Sequence, residues 1–283
     1  MVLGHPIAVI AERIAAPRKP DAGAERVARR RALRNRGLIE HAESHGGLDA
    51  VEPMPLRVRV SAMKAVIWDL DGTLLDTPGA IVQTAAEVLR ELGHAEIDAG
   101  AIRAGIGLPL PVALGGLLCL PPDSRAVAEA VERYRVIWRT AVNPRIHALV
   151  FPGVREGVAR LQALGVRQAV ATGKAQSGAD ANVDLAGLRP YMEVVAGYDR
   201  VPNPKPAPDL ALLVLREMGL APADAVVVGD TTHDLFMARS AGVRAIGVTY
   251  GAMDESALRT AGPAFIAHCF AEVMQILGTL RVS

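Results

Sequence analysis

From Met63 onward, short runs rich in valine and isoleucine alternate with longer stretches of helical periodicity. This alternation constrains the fold more than any other feature. Parallel strands need helical crossovers between them, and strands covered on both faces read as unbroken apolar runs. Strands are expected at 64–68 (KAVIW), 166–171 (VRQAVA), 193–196 (EVVA), 225–229 (AVVVG) and 243–248 (VRAIGV). Helices are expected between them at 153–164, 175–186, 207–219 and 231–241. The interval between the first two strands is too long for one crossover. It reads as helices at 79–92, 98–104, 110–118 and 123–140. The predicted class is therefore α/β, with a parallel-sheet core built from 63–77 and 151–283 and a helical cap, 78–150, inserted between its first two strands.

Residues 1–62 stand apart. They hold 11 of the 31 Lys and Arg, against 7 of the 30 Asp and Glu, and show no sustained apolar face. A disordered or mis-started leader is expected there, with Met63 able to serve as a translation start. A basic interaction arm would rest on residues 24–36 alone. The formal net charge of +1 argues against a general nucleic-acid binder. Cys119 and Cys269 lie too far apart for a metal or redox motif, and so few cysteines fit a reducing compartment, so a cytoplasmic protein is expected. Residues 104–122 carry no charge, yet eight glycines and prolines interrupt them, so no membrane span is expected. Residues 1–16 lack a basic leader, and Glu12 and Arg13 cut their apolar run short of an export signal.

The chemistry-bearing residues follow the strands. In open parallel sheets, ligands bind at the carboxyl ends of the strands. After KAVIW come Asp69-Leu70-Asp71-Gly72-Thr73, where Asp69 and Asp71 can point the same way from an extended chain. Two close carboxylates repel unless a cation or a shared proton compensates. Thr172-Gly173-Lys174 ends the second strand and opens a helix, whose hydroxyl and N–H groups suit phosphate oxygens. Lys205 sits between Pro204 and Pro206, which stiffen its loop. Gly229-Asp230-Thr231-Thr232-His233-Asp234 follows AVVV, with the two acids one helical turn apart. Each cluster alone also reads as an ordinary turn or cap. Their order, each at a strand end, is what carries weight.

Together they resemble the haloacid dehalogenase superfamily of phosphohydrolases, in its phosphoglycolate phosphatase-like branch. The resemblance covers about residues 63–283 and includes Ala245-Ile246-Gly247-Val248-Thr249-Tyr250-Gly251. It implies a Rossmann-like core and a Mg²⁺-dependent phosphatase acting on a small phosphorylated metabolite, of the phosphoglycolate or sugar phosphate type. In this reading Asp69 attacks phosphorus and forms an aspartyl-phosphate, and Asp71 protonates the leaving oxygen and then activates water. Thr172 and the Gly173 N–H bind phosphoryl oxygens, while Lys205 neutralises charge. Asp69, Asp230 and the backbone carbonyl of Asp71 hold Mg²⁺, with Asp234 ligating it directly or through water. Arg103, beside the Gly105-Ile106-Gly107-Leu108-Pro109 turn, is a candidate contact to substrate. His233 is expected to be exposed or to sit behind the metal ligands without ligating the ion, and Trp68 to pack beneath the site.

An acid at Asp71 points to phosphate-ester chemistry, because the family's dehalogenases lack one there. No lysine lies between Lys64 and Lys174, so the cap cannot supply the Schiff-base lysine of the related phosphonoacetaldehyde hydrolases. A phosphomutase of the same fold, or a non-catalytic ligand- or partner-binding module, remains as an alternative. A monomer or homodimer is expected, with no nucleic-acid or membrane partner.

Overall fold

A computed structural model of the chain describes residues 63–94 and 98–282. The expected leader, residues 1–62, lies outside the described residues. Strand β1 (Ala65–Trp68) is followed by α1 (Pro78–Glu91), α2 (Ala99–Ala104), α3 (Leu110–Leu118) and α4 (Arg125–Ile137). A π-helical turn at Trp138–Val142 and a 3-10 stretch at Asn143–Leu149 lead to α5 (Val154–Ala163) and β2 (Arg167–Ala171). Then come α6 (Gln176–Leu185), β3 (Val194–Ala196), α7 (Asp209–Met218), β4 (Ala225–Gly229), α8 (Thr232–Ser240) and β5 (Arg244–Val248). Helix α9 (Glu255–Thr260), β6 (Phe265–Ala267) and α10 (Phe270–Val282) close the chain's described part.

The strands form one parallel sheet in the order β3-β2-β1-β4-β5-β6. Successive side chains of β1 enter opposite faces. Val66 and Trp68 join the apolar layer that contains Val158 and Leu161 of α5 and Val273 and Leu277 of α10. Ala65 and Ile67 join the layer built by Leu210 and Val214 of α7 and Leu235 and Met237 of α8. Both layers are dry, which is why β1 and β4 show no polar alternation. Burying each such valine or leucine contributes roughly 1.5–3 kcal/mol. Trp68 lies in this core, its indole N–H donating to Gln168 Oε1 at 3.2 Å.

The expected strands match to within a residue, but β6 and its flanking helices were not expected. The run Phe265-Ile266-Ala267 is only three residues long with Phe265 exposed, so it carries no periodic signal. It becomes a strand because β5 offers it a free edge, Ile246 pairing with Phe265.

The helices between β1 and β2 start and stop on local chemistry. Pro78 opens α1, where its missing N–H costs nothing. Asp98 caps α2 by accepting the Gly100 N–H at 2.8 Å, and Ser124 caps α4 through Val127. The stretch expected as one helix to residue 140 is α-helical only to Ile137 and runs on as the π-helical turn Trp138–Val142, and Pro144, which has no N–H, sits in the first turn of the 3-10 stretch that follows. The segments entering and leaving this insert run side by side. The Asp76 N–H donates to the Leu149 carbonyl at 2.7 Å, and that of Phe151 to Leu74 at 3.1 Å. Among the described residues no helix is long and apolar enough to cross a membrane.

Candidate active site

Register places the acids. Trp68 pairs with Val170 on one side and Val228 on the other, so Asp69, Thr172 and Asp230 emerge at the same edge of the sheet. The Asp69 N–H still donates to the Val228 carbonyl at 2.8 Å, which holds the residue on its strand line. The chain then turns at Gly72, which has a φ of 83°. A β-carbon there would stand 2.1 Å from Asp230 Oδ2, so glycine is required for the two loops to approach. Thr73 Oγ1 donates to Asp230 Oδ1 at 3.1 Å, and Thr77 Oγ1 donates to Asp71 Oδ1 at 2.6 Å.

Lys205 is only 2% exposed, an unusual burial for a lysine. Its Nζ donates to Asp69 Oδ1 at 2.6 Å and also to Asp234 Oδ1. Burial opposes its charge, but Asp234 and Asp69 outweigh that and raise its pKa above the ordinary lysine value. Asp234 is held in turn by Thr231, whose hydroxyl donates to Asp234 Oδ2 at 2.6 Å and whose N–H donates to it at 3.1 Å. This is a capping box at the start of α8. Asp230 Oδ2 accepts the Ala252 N–H at 2.7 Å.

Carboxylate oxygens of Asp69, Asp230 and Asp234 all lie within 4.8 Å of one another, and all three residues are buried. The ammonium of Lys205 pairs with Asp69 and Asp234 and leaves Asp230 to the Thr73 hydroxyl and the Ala252 N–H. Burial, helped by Asp234 and Asp71, pushes the Asp69 carboxyl up to about 7 against the opposing pull of Lys205. Burial, Asp69 and Asp234 likewise hold Asp230 well above the carboxylate range. The donor set is all oxygen, and the raised values of Asp69 and Asp230 reflect burial and negative charge that a cation would compensate, the chemistry that suits a hard divalent ion.

A cavity of about 330 Å³ opens onto this edge. Asp69, Asp71, Thr172, Gly173 and Lys174 form its core side, and the insert covers it with Ile102, Ile106, Leu114, Tyr134 and Trp138. Asp69 therefore belongs to both the acidic cluster and the cavity. Lys205, Asp230 and Asp234 sit behind it, outside the lining. Thr172 is buried at the tip of β2, where its Oγ1 accepts the Lys174 N–H at 3.3 Å.

Arg103 departs from expectation. Ile102 turns into the core, and the next residue, about 100° further around α2, faces solvent. Arg103 is exposed and outside the cavity lining, whereas Gly105, Ile106, Gly107 and Leu108 line it. His233 is half-buried against Gly107, and its Nε2 has no hydrogen-bond partner among the described residues. Burial holds its pKa below the ordinary histidine value, Asp234 opposing.

Several residues of the site had no distinguishing signal in the sequence. Thr77, Tyr134 and Trp138 sit in ordinary helical or turn contexts. Gly251, in the stretch shared with the family, packs so closely that a β-carbon would stand 2.3 Å from Asp230 Oδ2.

The sequence pattern of the haloacid dehalogenase-like hydrolases matches residues 66–248. The chain is 46% identical over 209 residues to "Probable phosphatase IndB" of Dickeya dadantii, covering 74% of this chain and 91% of that protein. It is 35% identical over 193 residues to a phosphoglycolate phosphatase of Nitrosospira multiformis, covering 67% and 84%. A haloacid dehalogenase-like family hydrolase from Streptococcus pneumoniae superposes with a TM-score of 0.63 at 26% identity, over 76% of this chain and 98% of that one. By motif order, sheet order and these relatives, the chain belongs to the haloacid dehalogenase-like hydrolases, in their phosphoglycolate phosphatase-like branch.

Proposed function

We propose that this enzyme is a Mg²⁺-dependent phosphatase of a small phosphorylated metabolite, of the phosphoglycolate or sugar phosphate type, working through an aspartyl-phosphate on Asp69. The observation that carries the reading is the double membership of Asp69. It is the carboxylate of the acidic cluster that also lines the cavity. The cavity's volume suits a small metabolite held by a few polar groups.

Asp69, Asp230, Asp234 and the backbone carbonyl of Asp71 would hold Mg²⁺, and the bound ion would offset phosphate charge in front of an anionic nucleophile. The chain's own residues supply the rest. Lys205 favours the ionised form of Asp69 and fixes the direction of its Oδ1 through a 2.6 Å bond. The hydroxyl of Thr172 and the N–H of Gly173 receive phosphoryl oxygens at the tip of β2. Asp71, on the same side of the chain as Asp69, gives its proton to the leaving oxygen as the bond to phosphorus breaks. It then takes a proton from the water that attacks the aspartyl-phosphate. One carboxyl cannot do both jobs, because the nucleophile must begin ionised and the acid protonated. The insert covers the cavity and keeps bulk water from the leaving group.

The test is release of phosphate or of p-nitrophenol from p-nitrophenyl phosphate. Turnover is expected with Mg²⁺ and should vanish with EDTA and in Asp69→Asn. Undiminished turnover in Asp69→Asn would remove the nucleophile assignment. A panel of phosphorylated acids, sugars and nucleotides then ranks substrates by kcat/KM.

A further inference from the structure

Lys174 follows the phosphate-binding turn, and its side chain is mostly buried between the core and the insert. Its Nζ lies 3.1 Å from Asp71 Oδ2 and 3.9 Å from the centroid of the Trp138 ring. Trp138 is held by stacking on Tyr134, with centroids 5.7 Å apart and planes 13° from parallel. Asp71 thus has both oxygens engaged, Oδ1 by Thr77 and Oδ2 by Lys174.

A lysine ammonium on a flexible four-carbon stem does not hold a carboxylate in one direction unaided. The indole face limits where this one can go, through the attraction of a cation to an aromatic ring. Lys174 comes from the core and Trp138 from the insert, so the contact joins the two layers of the site at the acid–base carboxyl.

We infer that Lys174 is a positioning residue through which the insert sets the aim of Asp71. Trp138 fixes the ammonium, and the ammonium, donating to Oδ2, fixes the carboxylate that takes a proton from the water attacking the aspartyl-phosphate. The inference rests on the acid–base role proposed for Asp71. It differs from a role as substrate anchor, in which losing Lys174 would weaken binding of the phosphate ester.

A double-mutant cycle with p-nitrophenyl phosphate and Mg²⁺ tests it. Lys174→Met and Trp138→Leu should each lower kcat about tenfold, the scale expected for a misaimed catalytic group, with KM little changed. The double variant should be no worse than either alone, since both remove the same constraint. Trp138→Phe, which keeps an aromatic face, and Lys174→Arg, which keeps the charge, should retain most of the rate. Losses that multiply to about a hundredfold, or a rise in KM at constant kcat, overturn the inference.

A second readout needs no turnover. The chain has two tryptophans, so Trp68→Phe leaves Trp138 as the sole tryptophan, whose emission is read by exciting beyond the tyrosine absorption band. In that background both Lys174→Met and Asp71→Asn should shift its fluorescence, Asp71→Asn by releasing the ammonium. Emission unmoved by Asp71→Asn overturns the coupling. A wild-type protein with no phosphatase activity would instead refute the proposed function, while the fluorescence still decides the coupling. Thermal melts identify any variant that fails to fold; if Trp138→Leu does, the fluorescence arm decides.

Discussion

The carbonyl oxygen of Gly107 stands 2.3 Å from the place a β-carbon on Gly173 would occupy. Gly107 belongs to the insert and Gly173 to the turn after β2, so the insert rests directly on the proposed phosphate-binding backbone. Gly173→Ala must push these backbones apart, because a carbonyl cannot step aside as a flexible side chain does. The substitution is expected to cut kcat/KM on p-nitrophenyl phosphate by about a hundredfold, the cost of misplacing reacting groups by about 1 Å. The melting temperature should fall as well, because the forced shift falls on backbone atoms. Wild-type kcat/KM in the Gly173→Ala variant would show that the insert need not close this far during turnover.

Lys205 answers a different question, since its Nζ bridges Asp69 and Asp234 in a dry environment. Lys205→Met would leave the buried carboxylates of Asp69 and Asp234 without their ammonium. Removing one partner of a buried pair destabilises by about 3–5 kcal/mol, and urea denaturation in EDTA should show a loss of that order. Added Mg²⁺ should restore part of the stability without restoring turnover. A variant as stable as wild type in EDTA would mean that the acids shed their charge when the lysine is lost.

The pH dependence of stability follows from Asp69. Its pKa is raised from 3.8 to about 7 in the fold, so between those values the folded state binds more protons than the unfolded chain. Stability contributed through this group therefore falls as pH rises across that window. Asp69→Asn cannot ionise there. In EDTA its melting temperature should gain on that of wild type from pH 5 to pH 8. His233, whose pKa burial lowers, gives an opposite slope common to both proteins. Mg²⁺ should favour wild type and reverse the order at pH 8. A difference in Tm that stays constant over this range in EDTA would contradict the raised pKa.

Arg103→Ala should leave kcat/KM within about twofold, because isolated surface changes rarely exceed a few tenths of a kcal/mol. The exposed side chain stands outside the cavity lining. A KM raised tenfold would place the guanidinium on the substrate after all.

Strand ends were the most legible part of the molecule. A fully buried strand such as Ala65–Trp68 must be apolar throughout, so the first acid after it marks the sheet edge. The same holds for Asp230 after Ala225–Gly229. Lys205 is a different case: its proline-flanked loop says only that it is presented stiffly, and nothing in that stretch says to which carboxylates. The insert was less legible. Its helices are set by caps and by Pro78 and Pro144, but the direction in which Arg103, Tyr134 or Trp138 faces depends on what packs behind it.

The amino-acid sequence by itself determined the α/β class, the positions of five strands and the four motifs at their ends, because periodicity and turn chemistry act over a few residues. Only the tertiary structure decided which carboxylates share the ammonium of Lys205, that Lys174 lies between Asp71 and Trp138, and that Arg103 faces away. Those relations join residues tens to more than a hundred positions apart. Distances across that much chain are set by the packing of one layer on another, which no local pattern encodes.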